Sequence, residues 1–134
     1  MFARFALFVA TALAALAGHA ALHPGSAHAI VPLGQFGEGP GDQAGLLDPA
    51  LGVAIDGTGR VYVSELNRIS VFSPRGAFLR AFGKDVVPNN ANEGFEQCTT
   101  VCKDGEPGGE AGALAGAAGI ATDADGLLYV AEAV

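Results

Sequence analysis

Residues 49–83 read PALGVAIDGTGRVYVSELNRISVFSPRGAFLRAFG, and the alternation of short apolar runs with turn formers in this stretch decides the fold. Gly52–Ile55 is a short apolar strand. Asp56-Gly57-Thr58-Gly59 is a turn, with Gly available for positive φ and an Asp side chain able to bond the backbone ahead of it. Arg60–Glu65 is a second strand, with Val61 and Val63 on one face and Tyr62 on the other. Asn67–Arg68 turns the chain into a third strand, Ile69–Phe72, rich in β-branched and aromatic residues. Ser73-Pro74-Arg75-Gly76 suits a type I turn. Ala77–Phe82 completes the unit as a fourth strand, with Phe78, Arg80 and Phe82 alternating against Ala77, Leu79 and Ala81.

The unit recurs. Gly41–Asn67 aligns without gaps on Gly108–Val134 at a constant offset of 67. Gly52, Ala54, Asp56, Gly59, Tyr62, Val63 and Glu65 meet Gly119, Ala121, Asp123, Gly126, Tyr129, Val130 and Glu132. Gly41, Ala44, Gly45 and Leu47 likewise meet Gly108, Ala111, Gly112 and Leu114. A shorter echo at an offset of 46 places Leu33-Gly-Gln-Phe-Gly37 over Leu79-Arg-Ala-Phe-Gly83. Four short strands with tight turns, repeated, form the sheet unit of a β-propeller blade.

The stretch Pro49–Gly83 resembles an NHL repeat, whose pattern runs P-x-G-V-A-V-D, G-x-V-Y-V-A-D, N-R-I-Q-V-F and a closing F-x-x-x-F-G. Gly116–Val134 resembles the opening of a second repeat. Glu65 and Glu132 stand where that family usually has Asp, and Gly116-Ala117 replaces its Pro-containing entry. The resemblance implies an all-β partial propeller, with one full four-stranded blade and the start of a second. It also implies further blades C-terminal to Val134, and loop faces and a central channel used for recognition.

On this reading 1–29 is a signal peptide, 30–48 an N-terminal segment with a possible closing strand at Leu33–Gly37, and 49–83 the blade. Residues 84–107 are a Cys-containing insertion loop after the outer strand, and 108–134 open the second blade. The leader rests on Arg4, the apolar run Phe5–Ala17 interrupted only by Thr11, and Ala27-His28-Ala29, which places cleavage between Ala29 and Ile30. Its signal-peptide helix is too short to span a bilayer. The predicted destination is secreted or extracytoplasmic. In an oxidising compartment Cys98 and Cys102 are expected to pair. Free or intermolecular thiols and metal ligation are the alternatives.

The chain has 134 residues and a formal net charge of −7. Without its first 29 residues it keeps 105, with 6 Lys/Arg against 14 Asp/Glu and no His. That balance argues against nucleic acid or an anionic membrane surface as partner. The loss of every His removes the commonest general base and metal ligand. Ser64, Ser70 and Ser73 have no His to activate them. Asp123-Ala124-Asp125-Gly126 resembles the start of a calcium loop, but the twelfth position is Val134 rather than Glu, so an Asx-bonded hairpin is expected there. Arg60, Arg68, Arg75 and Arg80 are expected on a solvated or loop face, where they could meet an acidic partner. No catalytic, metal or cofactor residue is assigned. The function expected is a binding module for a protein or cell-envelope polymer. The alternative is a fragment of an extracytoplasmic propeller enzyme, a metal-dependent lyase or lactonase-like hydrolase.

Overall fold

A computed structural model describes residues 35–91 and 94–132. The leader and its cleavage point at Ala29–Ile30 lie outside the described residues, as do the first two residues, 33 and 34, of the possible closing strand. Its remaining residues, 35–37, are not in a strand. The described chain is all-β, with seven antiparallel strands in two sheets. β1 (Gly52–Ile55), β2 (Val61–Ser64), β3 (Arg68–Phe72), β4 (Phe78–Lys84) and β5 (Phe95–Cys98) form one sheet in sequential order. β6 (Ala117–Thr122) and β7 (Leu128–Glu132) form a second, two-stranded sheet.

The tight turns follow from their residues. Gly76 N–H donates to Ser73 O at 2.9 Å, and the Ser73 hydroxyl accepts from the backbone of Arg75 and Ala77. Gly59 and Gly126 close the two equivalent hairpins with φ of 82° each, a conformation that a Cβ would strain. β2 and β3 are buried along their whole length, on both faces. On one face Ala54, Tyr62, Ile69 and Val71 pack with Ala117 against Ile120, Leu128 and Val130 of the second sheet. On the other, Val61, Val63 and Phe72 pack with Leu47 and Phe78.

Three expectations are corrected. First, simple alternation along Ala77–Phe82 puts Phe78 and Phe82 on one face. A bulge opposite Val71 and Phe72 makes Leu79 the extra residue, since Val71 pairs with Arg80 but Phe72 with Phe78. Phe78 therefore stacks edge-on against Phe72, ring centroids 5.8 Å apart, on one face, while Phe82 joins the core on the other. Second, the insertion is not all loop. Phe95–Cys98 pairs with Ala81–Lys84, so the four-stranded unit becomes a five-stranded sheet. The pair Cys98–Cys102 is disulfide-bonded, with Cα atoms 5.5 Å apart, and it packs with Ala81 and Val86 as a small buried core. Third, Arg68 is not solvated.

The Arg68 side chain is 1% exposed and bridges Glu65, which is equally buried, through Nη2–Oε2 at 2.8 Å and Nε–Oε1 at 2.9 Å. Nη1 donates to the carbonyls of Asp42 and Lys103, and Nη2 to that of Leu46 at 3.0 Å. The Glu65 carboxylate also accepts from Ser70 Oγ at 2.6 Å and from the Asp48 backbone at 3.1 Å. One ion pair thus ties the N-terminal segment, the strands and the insertion together. Removing one partner of such a pair strands a buried charge. Arg68→Met is therefore expected to lower unfolding free energy by about 3–5 kcal/mol, read as a fall in urea midpoint. The disulfide closes only a short loop, so Cys98→Ser/Cys102→Ser together should cost about 2 kcal/mol in the same measurement.

Candidate functional site

The two hairpins carry the same polar clasp. Asp56 Oδ1 accepts from the backbone of Thr58 at 2.8 Å and Arg60 at 3.0 Å, and Oδ2 accepts from the Tyr62 hydroxyl at 3.1 Å. Sixty-seven residues on, Asp123 Oδ1 accepts from Asp125 and Leu127 at 2.9 Å each, and Oδ2 from the Tyr129 hydroxyl at 2.9 Å. The acidic residues after each second strand match as well. Glu65 accepts from the Asp48 backbone, and Glu132 accepts from the Ala115 backbone at 3.0 Å. One oxygen of each hairpin Asp is thus taken by the backbone of its own turn and the other by the Tyr hydroxyl of the following strand, which explains why Asp is needed where the chain must turn within four residues.

The hairpin carboxylates are held in the charged form. Hydrogen bonds from the Thr58 side chain, the Arg60 and Thr58 backbone and Tyr62 keep the Asp56 carboxyl far below the usual range, despite its burial. The Leu127 backbone, then Tyr129 and the Asp125 backbone, lower Asp123. Burial, followed by the bond to Asp56, pushes the Tyr62 hydroxyl up. Arg60 adds an ion pair to Asp56 at 2.9 Å. Among the described residues no group of three His, Cys, Asp or Glu side chains is placed to hold a metal ion.

A cleft of about 250 Å³ lies over β4 and β5, lined by Arg80, Phe82, Phe95 and Gln97. The register explains its composition. Phe82 and Gln97 are direct cross-strand partners, and Arg80 and Phe95 each lie two residues from one of them, on the same face. The Phe82 and Phe95 rings are 6.0 Å apart and tilted by 52°, and Phe95 is half exposed. The Arg80 Nε–H is shielded from solvent, with no hydrogen-bond partner among the described residues. A buried donor without an acceptor is costly. Two of the four lining residues come from the inserted strand, and reading 84–107 as a loop hides them. In Phe95-Glu96-Gln97-Cys98 the inward pair is Glu96 and Cys98 and the outward pair Phe95 and Gln97, so no apolar alternation marks the strand in the sequence.

Compared with known proteins, the chain matches no protein-family model, no curated protein and no solved structure.

Because both hairpin carboxylates have lowered pKa values in the fold, their contribution to stability is complete above the unfolded Asp value of about 3.9. It is lost as pH falls through the folded values. The urea midpoint should therefore drop between about pH 5 and pH 2, and the drop should be shallower in Asp56→Asn and shallowest in Asp56→Asn/Asp123→Asn. Equal slopes for all three chains would mean that the clasp is not what titrates.

Proposed function

We propose that the chain is an extracytoplasmic binding module of the NHL propeller type that takes a protein or cell-envelope polymer at the Arg80–Phe82–Phe95–Gln97 cleft. The observation that carries this reading is the shielded Nε–H of Arg80, without a partner among the described residues, beside an exposed aromatic ring. The cleft offers a flat apolar surface on Phe95, a charged donor on Arg80 and an amide on Gln97. That combination suits a ligand with one flat apolar face and acceptor oxygens at its rim, as a sugar ring or an extended peptide has. The surplus of acidic residues disfavours an anionic polymer and leaves neutral ones as the better match. The blade-type repeat, the apolar leader and the disulfide support the family and compartment parts of the reading. β5 belongs to the insertion and extends the sheet beyond the four strands of a regular blade.

Calorimetric titration of the chain, recovered from an exporting host, with neutral oligosaccharides and uncharged extended peptides tests the proposal. A saturable ligand is expected, with binding reduced at least about tenfold by Arg80→Ala and by Phe95→Ala, the scale set by one lost charge-assisted hydrogen bond or one aromatic contact. Circular dichroism of both variants should be unchanged. Absence of binding across the panel, or binding indifferent to both substitutions, refutes it. A divalent ion retained at one per chain would instead favour the lyase or lactonase-like reading.

A further inference from the structure

β5 stands at the edge of the five-stranded sheet, paired with β4 on one side and with no other strand among the described residues. The phase of its ladder decides what the open side offers. Asp85 N–H donates to Gly94 O at 3.1 Å, just beyond the last paired residues. Hydrogen-bonded and non-hydrogen-bonded pairs alternate along an antiparallel ladder. Phe95, Glu96, Gln97 and Cys98 lie opposite Lys84, Gly83, Phe82 and Ala81, so the bonds to β4 are made by Glu96 and Cys98. The N–H and C=O groups of Phe95 and Gln97 point the other way, off the edge of the sheet. None of these groups has a hydrogen-bond partner among the described residues, and both residues are exposed.

The edge is also held ready for a partner. On the reverse face Glu96 is buried, and its carboxylate accepts from Val87 N–H at 2.8 Å and from the Asn90 side-chain amide. Cys98 on that face is tied to Cys102. A strand fixed from behind loses little freedom when another pairs with it. Phe95–Cys98 contains no Lys or Pro, and its pairing with β4 shows no register shift, so the Lys, Pro and bulges that close many sheet edges are absent. The strand is short, and contacts beyond its own ladder must complete any interaction there. The cleft supplies them, since Phe95 and Gln97 line it with their side chains.

We infer that the ligand of the cleft is an extended segment of another protein, added to β5 as a sixth strand, a choice between ligand classes that rests on the binding role proposed for the cleft. Outward N–H and C=O groups on alternate residues, about 7 Å apart along a strand, match a second peptide backbone. A sugar chain has no amide ladder to meet them. Side chains of the added strand alternate as well. Those opposite Phe95 and Gln97 fall on the cleft face, where an aliphatic or aromatic residue meets the exposed Phe95 ring as a cross-strand neighbour. A second copy of this chain is the poorer occupant. The two-fold register in which both copies use both positions sets Glu96 directly opposite Glu96, and like charges so placed are destabilising.

Amide hydrogen exchange followed by NMR, on the whole chain recovered from an exporting host, tests this. The probes are capped, uncharged hexapeptides of alternating valine and threonine with one tyrosine, and neutral oligosaccharides. Saturating hexapeptide is expected to slow exchange at Phe95 and Gln97 at least about tenfold and to leave Glu96, already bonded within the sheet, unchanged. Methylating the backbone nitrogens of alternate peptide residues should weaken binding at least about tenfold in one phase and by less than about twofold in the other, because only one phase faces β5. Gln97→Pro deletes an outward N–H and no bond to β4, so it should keep its circular dichroism spectrum and lose the peptide. Should that variant fail to fold, the methylated peptides test the ladder on the unmodified chain. Strand addition is overturned, and the cleft left standing as a binding site, by oligosaccharide binding that Arg80→Ala and Phe95→Ala abolish in the absence of peptide binding, or by peptide binding equal in both methylation phases. Absence of any binding overturns both. Dimerisation of the chain alone that Gln97→Pro abolishes, with no peptide bound, overturns strand addition by a partner in favour of self-pairing.

Discussion

The buried ion pair between Glu65 and Arg68 is the constraint on which the rest depends. Desolvating a carboxylate and a guanidinium is expensive, and their attraction offsets that cost only when every remaining donor and lone pair finds a partner. Here the partners come from three separate places: Asp42, Leu46 and Asp48 in the N-terminal segment, Ser70 in β3, and Lys103 in the insertion. A slip in any of these would leave a buried charge short of a bond. The pair therefore specifies one arrangement of segments that have little apolar surface of their own. An apolar pair of the same volume could match it in stability, but it would not discriminate between registers so sharply. It also fixes where the insertion leaves and re-enters the sheet, and hence where β5 can pair with β4.

The same position in the second repeat shows what the pair contributes. Glu132 bonds the Ala115 backbone as Glu65 bonds that of Asp48, so the local geometry of the glutamate does not need an arginine. Glu65 is 1% exposed, whereas Glu132 is exposed. The backbone bond sets the direction of the carboxylate. The burial comes from the third strand and the segments gathered by Arg68. Hairpin and ion pair are separable layers of the fold: the Asp–Tyr clasp builds each hairpin locally, and the Glu–Arg pair locks a hairpin to what surrounds it.

The hairpins were legible in the sequence because their determinants are local. Asp56, Gly59 and Tyr62 act within seven residues of one another, and their recurrence as Asp123, Gly126 and Tyr129 is visible as identity at one spacing. Other features depend on partners distant in sequence. Arg68 looks like a solvated turn residue until Asp42, Leu46 and Lys103 converge on it. The displacement of Phe78 to the opposite face from Phe82 comes from a bulge at Leu79, which strand alternation alone cannot reveal. Phe95–Cys98 is too short and too polar to announce a strand, and it becomes one because the edge of β4 offers it a ladder. The candidate cleft inherits that blindness: Arg80 and Phe82 lie on a strand the sequence marks, while Phe95 and Gln97 arrive on one that it does not.

That division also explains why the cleft lies where it does. Across the first sheet, Ala54, Tyr62, Val71 and Arg80 form a row of cross-strand neighbours on one face. The first three are covered by the second sheet or its surroundings, and the row stays apolar as far as it is covered. Arg80 comes where cover ends, and a long side chain there can lay its stem on the core and keep its charged end near the open cleft. Adding β5 prolongs the sheet just past this point. It supplies Phe95 and Gln97 as a second wall of the cleft beside Arg80, whose Nε–H is buried with no acceptor among the described residues. An edge strand that served only to cap β4 would need neither an exposed aromatic ring nor an unsatisfied donor beside it. On the proposed reading, their presence together assigns the inserted strand to recognition rather than to simple edge protection.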